Sequence, residues 1–355
     1  MTSSASAVRF EVPTELSAGE PPEARGTARD EVRLLVAADH RPLRHRRFTD
    51  LPDSLRAGDV VVVNTSDTVP AAVEGRRGVA PVVLHVSGPV PDRPDLVVVE
   101  LRTLDGDRVR DAVAGERILL PRGVVATLLA AHPDPAASGS RLWRARVPVE
   151  GGIVPWLRIV GRPIRYPYVT GRWPLAAYRT IFARPDEGFG SAEMPSAARP
   201  FSPAVLAGLR ARGVGLAEVV LHTGVSSLEA GETPLPEWFR VPPPTAAAVN
   251  ATRAGAGRVV AVGTTVTRAL ESVAGPDGTV RAGSGWTDLV LGPDRPTRTV
   301  AGLVTGWHEP QASHLLLLEA VAGRRLVRRA YAAALAHHYL WHEFGDSCLL
   351  LPAPR

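Results

Sequence analysis

Short apolar runs separated by polar turns recur along most of the chain. Two runs, residues 60–63 and 259–262, contain only valine and alanine, without polar alternation. A continuous apolar run of this length predicts a strand that is buried on both faces of a sheet. The second run turns at Gly263 into a helix-competent segment, which Thr264 or Thr265 could cap. This joint predicts a βα unit whose helix N-terminus faces an anion or a polar ligand, although many α/β proteins use such a joint only to turn the chain.

Several predicted strands end at polar side chains. Asn64 follows the strand at residues 60–63, His222 follows a predicted strand at 218–221, and His308 closely follows another at 299–304. Ligands of open α/β sheets bind outside the carboxyl ends of the strands. We therefore expect these strand ends and the Gly263 turn to converge on one pocket.

The pattern predicts several further elements outside these strands. We expect an extended arm at residues 1–31, a strand at 32–37 and a short helix at 48–55. Helices are predicted at 178–183 and 203–212, and a pair of C-terminal helices at 313–322 and 326–341. The resulting alternation of strands and helices indicates an α/β fold with a mixed sheet.

The region between residues 71 and 154 has a different texture, with short β-branched segments broken by Gly, Pro and Asp. Such short, closely spaced strands are typical of a small barrel. We predict a barrel domain at residues 71–154, inserted into a discontinuous α/β catalytic domain made of residues 1–70 and 155–355. Its expected strands are residues 81–86, 96–103, 117–120, 124–131 and 142–149.

Composition limits the class of protein. The 355 residues are 45% hydrophobic, which is enough for a sizeable core. A single cysteine, Cys348, excludes a disulfide framework and a thiolate zinc site. Because we find neither a signal-peptide pattern nor an apolar run of membrane-spanning length, we expect a cytoplasmic protein without a membrane partner. The sequence leaves the oligomeric state open, and we take a monomer as the default.

The chain has a positive net charge, and arginine is its only cationic residue type apart from histidine. The formal net charge is +5, and the chain contains no lysine. Guanidinium groups bind phosphate in a bidentate manner, so the composition is compatible with an RNA partner. A GC-rich genome would explain the same bias without any partner, because it favours codons for Arg, Ala, Gly and Pro together.

A metal site is not predicted. His338 and His342 would lie one turn apart on the second C-terminal helix. Two histidines at this spacing can hold a metal, but the rest of a ligand set is not evident. We therefore interpret them as part of a solvated helix face.

Several segments together resemble the S-adenosylmethionine:tRNA ribosyltransferase-isomerases of queuosine biosynthesis, and they occur in the order of that family. The resemblance covers nearly the whole chain, and the AVGTT segment followed by RALES is its most specific part. The segments are GSAEMPSAARPF (190–201), VLHTGVSSL (220–228), VVAVGTTVTRALES (259–272), LVTGWHEPQASHLLLLEAVAG (303–323) and FGDSCLL (344–350).

The resemblance implies an enzyme that transfers and isomerises the ribosyl group of S-adenosylmethionine. The acceptor is the aminomethyl group of a 7-deazaguanine in the tRNA anticodon, and methionine and adenine are released. The family fold is an α/β domain with an inserted β-barrel. No metal or redox cofactor is implied, since S-adenosylmethionine is itself the substrate.

The chain also departs from the family pattern. Two family arginines are replaced by Asp67 and Ala72, and a family histidine is replaced by Pro200. A histidine-rich stretch that precedes the family glutamate is shortened before Glu237. An aspartate in place of an arginine repels phosphate, so these changes suggest weaker tRNA binding and an altered acceptor. Two alternatives therefore remain open: a paralogue with a small-molecule acceptor, and a non-catalytic protein that binds nucleotides or RNA.

Candidate residues follow from the expected chemistry. The reaction needs a base that removes a proton from the 5′ carbon beside the sulfonium, and His222 and His308 are the candidates. Asp346 could orient one of these imidazoles or pair with the sulfonium. His222 could instead bond a backbone carbonyl at the sheet edge. Trp307 could stack on adenine or belong to the core. The substrate-binding candidates are Thr264, Thr265, Arg268, Ser313, Asn64 and Glu237. Of these, Thr264, Thr265 and Arg268 are the candidates for binding the methionine carboxylate.

Overall fold

The computed structural model of the protein describes residues 8–353, apart from residues 9, 92, 138, 226–234 and 311–312 and the side chain of Ser313. Within these residues the strands form one mixed sheet and one closed barrel. This arrangement confirms the predicted fold class. In chain order the strands are β1 (Arg33–Ala38), β2 (Arg44–Arg47), β3 (Val60–Asn64), β4 (Ala72–Arg77), β5 (Ala80–Val90), β6 (Arg93–Arg102), β7 (Arg117–Leu119), β8 (Val125–His132), β9 (Leu142–Arg146), β10 (Gly215–Leu221), β11 (Glu237–Val241), β12 (Val259–Val262), β13 (Gly283–Thr287), β14 (Gly302–Thr305) and β15 (Ser347–Leu351).

The mixed sheet has nine strands within the described chain, in the order β13-β11-β10-β3-β12-β14-β15-β1-β2. Its four central strands, β10, β3, β12 and β14, run parallel to one another. All residues of β3 and β12 are buried, as expected for the two valine-rich runs. Because the central strands are parallel, Asn64, Leu221, Val262 and Thr305 all end at one rim of the sheet.

Five α-helices accompany the strands in the described part of the chain: α1 (Ile153–Val160), α2 (Pro203–Ala211), α3 (Pro243–Ala254), α4 (Gly263–Ser272) and α5 (Ser313–Ala336). Apolar side chains of α3, α4 and α5 pack on one face of the sheet. The opposite face packs against α2 and a 3-10 helix at Phe48–Ser54. The result is a sheet covered on both faces, which explains why its central strands lack polar alternation. No helix among the described residues is long and apolar enough to cross a membrane.

The barrel is closed in the order β4-β5-β6-β9-β8-β7. Its interior is filled by alternate residues of each strand, such as Val82, Leu84 and Val86 of β5. The sequence did not predict β4. Its exposed Glu74 and Arg76 interrupt any apolar run, and the strand is recognisable only through its pairing with β5 and β7.

Other local predictions are wrong. The described part of residues 1–31 is not an extended arm, because it contains 3-10 helices at Thr14–Leu16, Pro22–Arg25 and Arg29–Glu31, and Leu16 is buried. The helix expected at residues 178–183 is replaced by a 3-10 helix at Leu175–Tyr178.

The C-terminal helices also differ from the prediction. They meet at Gly323, whose positive φ of 73° breaks the helical path inside α5, and α5 ends at Ala336. His338 and His342 lie beyond that end, each with a positive φ, and therefore do not share a helix face. Across the described chain, no group of three or more His, Cys, Asp or Glu side chains has an arrangement that could hold a metal.

Candidate active site

One cavity of about 630 Å³ lies at the rim where the parallel strands end. Barrel residues such as Ser87 and Val98 line it together with Thr305 at the end of β14. The cavity thus has walls from both the barrel and the sheet. Of the residues predicted from the sequence, seven line it: His222, Glu237, Thr264, Thr265, Arg268, Trp307 and His308.

His222 follows β10 directly and is 92% buried, since only 8% of its surface is exposed. Its Nδ1 lies 2.8 Å from Ser66 Oγ, and Ser66 Oγ lies 2.7 Å from Ser191 Oγ. Burial lowers the pKa of His222 to about 4, so the imidazole is neutral at pH 7. Its ring stacks on Trp238 with centroids 5.2 Å apart.

Two tautomers of His222 are compatible with the serine contacts, and one of them leaves Nε2 able to take a proton. Ser191 Oγ can donate to the carbonyl of Leu221 at 3.5 Å. Ser66 Oγ is then free to donate to Ser191 and to accept the Nδ1–H of His222. In this direction of the chain Nε2 carries no proton, whereas the reverse direction, with Ser66 donating to Nδ1, leaves the proton on Nε2. Nε2 is buried, and a backbone hydrogen bond with Glu187 raises the pKa of the imidazole against the larger effect of burial. In the first tautomer the neutral imidazole is suited to act as a base at Nε2.

His308 lies on the same cavity, three residues beyond β14. Its Nε2 lies 3.0 Å from Thr305 Oγ1, and its backbone N–H donates to Tyr331 Oη at 3.3 Å. Its ring stacks on His314 with centroids 4.7 Å apart. Burial, with a smaller contribution from the neighbouring histidines, lowers the pKa of His308 well below its usual value. His308 is therefore also neutral at pH 7.

The N-terminus of α4 forms another part of the wall. The helix begins at Gly263, whose φ of +87° allows the sharp turn out of β12. No side chain caps this end, so the predicted threonine cap is wrong, and Thr264 and Thr265 lie inside the first turn. In the described part of the chain, Thr265 Oγ1 is buried without a hydrogen-bond partner. The first turn thus offers backbone and side-chain donors to the cavity.

Arg268 projects from α4 but is already bonded within the protein. Its guanidinium pairs with Glu237 and donates to the carbonyls of Leu289 at 3.1 Å and Thr287 at 3.0 Å. Glu237 also accepts the N–H of Gly224 at 3.3 Å. The pair therefore ties α4 to β11 and neutralises the guanidinium within the protein, and the role of Arg268 in completing an anion site stays a prediction.

Asn64 and Asp346 form hydrogen bonds within the protein and do not line the cavity. Asn64 Oδ1 accepts the N–H of Leu221 at 3.0 Å, and its Nδ2 donates to the carbonyl of Leu221 at 2.8 Å, which fixes the strand end before His222. Asp346 accepts bonds from Arg33 Nε at 3.0 Å and from the N–H of Leu340 at 2.7 Å. Asp346 therefore orients neither candidate imidazole.

Two further predictions concern Trp307 and Ser313. Trp307 is only 2% exposed and packs on Tyr331, with centroids 5.1 Å apart, and on Tyr339 and Trp341. It belongs to the core and borders the cavity at the same time. Ser313 begins α5, and its side chain lies outside the described part of the structure.

The cavity also contains an acidic wall that the sequence did not indicate. Tyr166 Oη donates to Glu193, and Tyr168 Oη donates to Glu343 at 3.5 Å. Burial, with a further contribution from Glu193, raises the pKa of Glu343 to about 8. Both tyrosines lie in the proline-rich connection after α1. The only feature of the sequence that pointed to Glu343 as a site residue is its position next to His342.

Asp67, which replaces a family arginine, and Arg199, which precedes Pro200, both have partners inside the protein. Asp67 is 2% exposed and accepts two bonds from Arg179, at 2.8 and 2.7 Å. Arg199, beside Pro200, is bonded to Glu23 and to the carbonyl of Ala177. Neither Asp67 nor Arg199 lines the cavity. The aspartate therefore does not place an uncompensated negative charge against a ligand.

Comparison with known proteins identifies the family. The model of the queuosine biosynthesis protein family matches residues 5–350. S-adenosylmethionine:tRNA ribosyltransferase-isomerase of Symbiobacterium thermophilum is 36% identical over 360 residues, covering 96% of this chain and 98% of the relative. The enzyme of the same name from Novosphingobium aromaticivorans is 35% identical over 355 residues, covering 97% and 98%.

A solved structure agrees with this result. The crystal structure of S-adenosylmethionine tRNA ribosyltransferase from Thermotoga maritima is 26% identical and superposes with a TM-score of 0.52, covering 97% of this chain and 99% of that one. The family model and the curated relatives span nearly the whole chain. The chain therefore belongs to the queuosine biosynthesis protein family, which confirms the resemblance found in its sequence.

Proposed function

We propose that this protein transfers and isomerises the ribosyl group of S-adenosylmethionine onto a 7-aminomethyl-7-deazaguanine in tRNA, releasing adenine and methionine. The observation that supports this most directly is the meeting of His222, His308 and the first turn of α4 on one cavity of about 630 Å³. This volume lies in the usual range for small-molecule sites. Family membership supplies the reaction class.

In this proposal His222 removes a proton from the 5′ carbon of the substrate. The carbon is acidified by the adjacent sulfonium, and a neutral imidazole in the tautomer with an unprotonated Nε2 can accept the proton. The imidazolium formed in this way passes that same proton to adenine as it leaves, directly or through His308, and His222 returns to its neutral state. The neutral state of both imidazoles at pH 7 favours their starting as bases.

Substrate binding uses the other cavity residues. The first turn of α4, with Thr264 and Thr265, binds the methionine carboxylate through backbone N–H groups and hydroxyls. Arg268 acts indirectly, by holding Glu237 and α4 in place. Trp307 presents its cavity-facing surface to the adenosyl group, and Ser313 remains a predicted contact at the start of α5.

The test is to incubate the protein with S-adenosylmethionine and to measure free adenine and methionine by mass spectrometry. One reaction contains tRNA with 7-aminomethyl-7-deazaguanine, a matched reaction contains tRNA with unmodified guanine, and a third contains no RNA. Release only with the deazaguanine tRNA supports the proposal. Release without RNA would favour the small-molecule acceptor, and no release in any reaction would favour a binding protein without activity.

A further inference from the structure

The outer edge of the mixed sheet carries an exposed group of arginines that the proposed chemistry does not use. β2 has the sequence Arg-His-Arg-Arg, and its four residues are all exposed. We define the edge cluster as Arg41, Arg44, Arg46 and Arg47. Arg41 is exposed as well, and its carbonyl accepts a hydrogen bond of 3.0 Å from Arg329 of α5.

The guanidinium groups of the edge cluster form no ion pair with a carboxylate in the part of the chain that the structure describes. The acids nearest in sequence have other partners: Asp39 pairs with Arg325 at 2.8 Å, and Asp50 accepts the backbone N–H of Arg47 at 3.1 Å. By contrast, the exposed Arg240 of β11 is paired with Glu187 at 2.8 Å. The edge cluster is therefore a local excess of positive charge.

The occupant that fits this edge is a polyanion. Unpaired N–H and C=O groups of an edge strand could pair with the same strand of a second copy, but a row of like charges opposes that pairing. By contrast, guanidinium groups bind phosphate oxygens in bidentate geometry and remain charged at every physiological pH. The side chains also lie on both faces of the edge, because alternate residues of a strand point in opposite directions.

Strand register places the edge cluster within reach of the cavity. Thr305, which contacts His308, pairs with Cys348, and Cys348 pairs with Leu35. Leu35 in turn pairs with His45, between the arginines of β2. Three strand spacings of about 4.8 Å separate Thr305 from His45, or roughly 14 Å. A chain of a few nucleotides can span this distance.

We propose that the edge cluster binds the phosphate backbone of the RNA whose reacting base enters the cavity. This inference rests on the proposed function, since it assigns a docking surface to the same substrate. Arg46 and Arg47 lie at the end of β2 nearest the rim, because Arg47 pairs with Arg33 at the start of β1. The RNA backbone therefore runs from the cavity across the first residues of β15 and β1 to the outer edge.

The test is tRNA binding by the variant R44A/R46A, measured by filter binding between 0.05 and about 0.2 M salt, a range over which phosphate contacts are strongly attenuated. Each phosphate contact contributes roughly 0.7 to 0.9 to the slope of log affinity against log salt. We expect the slope to fall by about 1.5 and the affinity near 0.15 M salt to fall roughly tenfold. The matched control is R117A/R281A. It removes one exposed arginine from the barrel, Arg117, and one exposed arginine beside β13 at the opposite edge of the sheet, Arg281.

Unchanged tRNA affinity and salt slope in R44A/R46A would overturn the inference, as would an equal loss in the control or no binding of tRNA by the parent protein. Affinity for S-adenosylmethionine should be the same in all three proteins. The proposed function fails separately: a parent protein that binds tRNA through the edge cluster but releases no adenine would contradict the reaction and leave the docking surface in place. If R44A/R46A releases adenine with a normal kcat and a raised KM for tRNA, the result supports both the proposed reaction and the docking surface.

Discussion

Ser66 Oγ lies 2.8 Å from His222 Nδ1, and this contact connects the end of β3 to the residue after β10. The two residues are 156 positions apart in the chain. The bond fixes the imidazole orientation and, through Ser191, allows Nε2 to remain unprotonated. His222 is thus positioned by the sheet rim and not by a carboxylate.

The first prediction is that S66A lowers the rate of adenine release without unfolding the protein. Loss of one hydrogen bond that orients a base should cost about 1.4 kcal/mol in the transition state, or about tenfold in kcat. S66T, which keeps the hydroxyl, should retain most of the rate. Rate measurements with deazaguanine tRNA, together with circular dichroism spectra, check this. An S66A enzyme as fast as the parent would show that Ser66 does not position His222.

Replacement of the imidazoles themselves should be more severe. General acid–base groups contribute about 10² to 10⁴ to a rate, so H222A and H308A should each reduce adenine release at least a hundredfold. Affinity for S-adenosylmethionine, measured by calorimetry, should change less than the rate. H40A is the control, because His40 is exposed and distant in sequence from the rim. Parental turnover by both variants would refute the assignment of proton transfer.

The pH dependence of the reaction follows from the burial of His222. Because its pKa is lowered to about 4, the imidazole remains neutral from about pH 8 down to about pH 5. The His222-dependent part of kcat/KM should therefore be flat between pH 6 and 8 and should fall as the pH approaches 4, where the base becomes protonated. A profile with a midpoint near the ordinary histidine value of about 6.5 would contradict a buried, neutral base.

Much of the fold was predictable because short stretches of the sequence are enough to indicate its central strands. The valine runs of β3 and β12 are continuous, so they predicted buried strands, and parallel strands end at one rim. That geometry predicts that His222 and His308 lie at the same rim, and both line the cavity there. The C-terminal helix was predicted too long because Tyr339 and Trp341 continue the apolar pattern, although both are buried beyond the helix end.

The side-chain pairs were not predictable, because they join distant parts of the chain. Arg268 appeared suitable for a ligand carboxylate until the structure paired it with Glu237, 31 residues away. Asp346 appeared suitable as a catalytic carboxylate, but it bonds Arg33 from the other end of the sequence. A residue type indicates what a side chain can bind, whereas the packing of the whole chain decides which partner it has.

The pair of Arg268 and Glu237 should be important for stability. Both residues are buried, and removal of one partner leaves the other charge buried and uncompensated, which typically costs about 3–5 kcal/mol. We expect E237L and R268M each to lower the free energy of unfolding in urea by about this amount. The double variant should be less destabilised than the sum of the two, because neither charge remains. D95N, which removes an exposed partner of Arg93, should leave the urea midpoint nearly unchanged. Additive losses in the double variant would contradict the coupling.

Glu343 should make the protein less stable as the pH rises. Its folded-state pKa is about 8, against an unfolded value near 4.5, because the carboxyl is buried and close to Glu193. Between these values the unfolded chain releases the proton while the folded protein keeps it. The contribution of Glu343 to the free energy of unfolding therefore falls by up to about 1.4 kcal/mol per pH unit, and it levels off above pH 8.

The variant E343Q removes this titration while it keeps the size of the side chain. Urea unfolding of the parent and of E343Q at pH 5.5, 6.5 and 7.5 should therefore show E343Q gaining stability relative to the parent as the pH increases, by about 1 kcal/mol or more over the series. E150Q is the matched control, because Glu150 is exposed, and it should follow the parent at every pH. If the parent and E343Q lose stability in parallel, the proton is not held on Glu343 in the folded state. The acidic wall would then carry a full negative charge on Glu343 at neutral pH, next to Glu193.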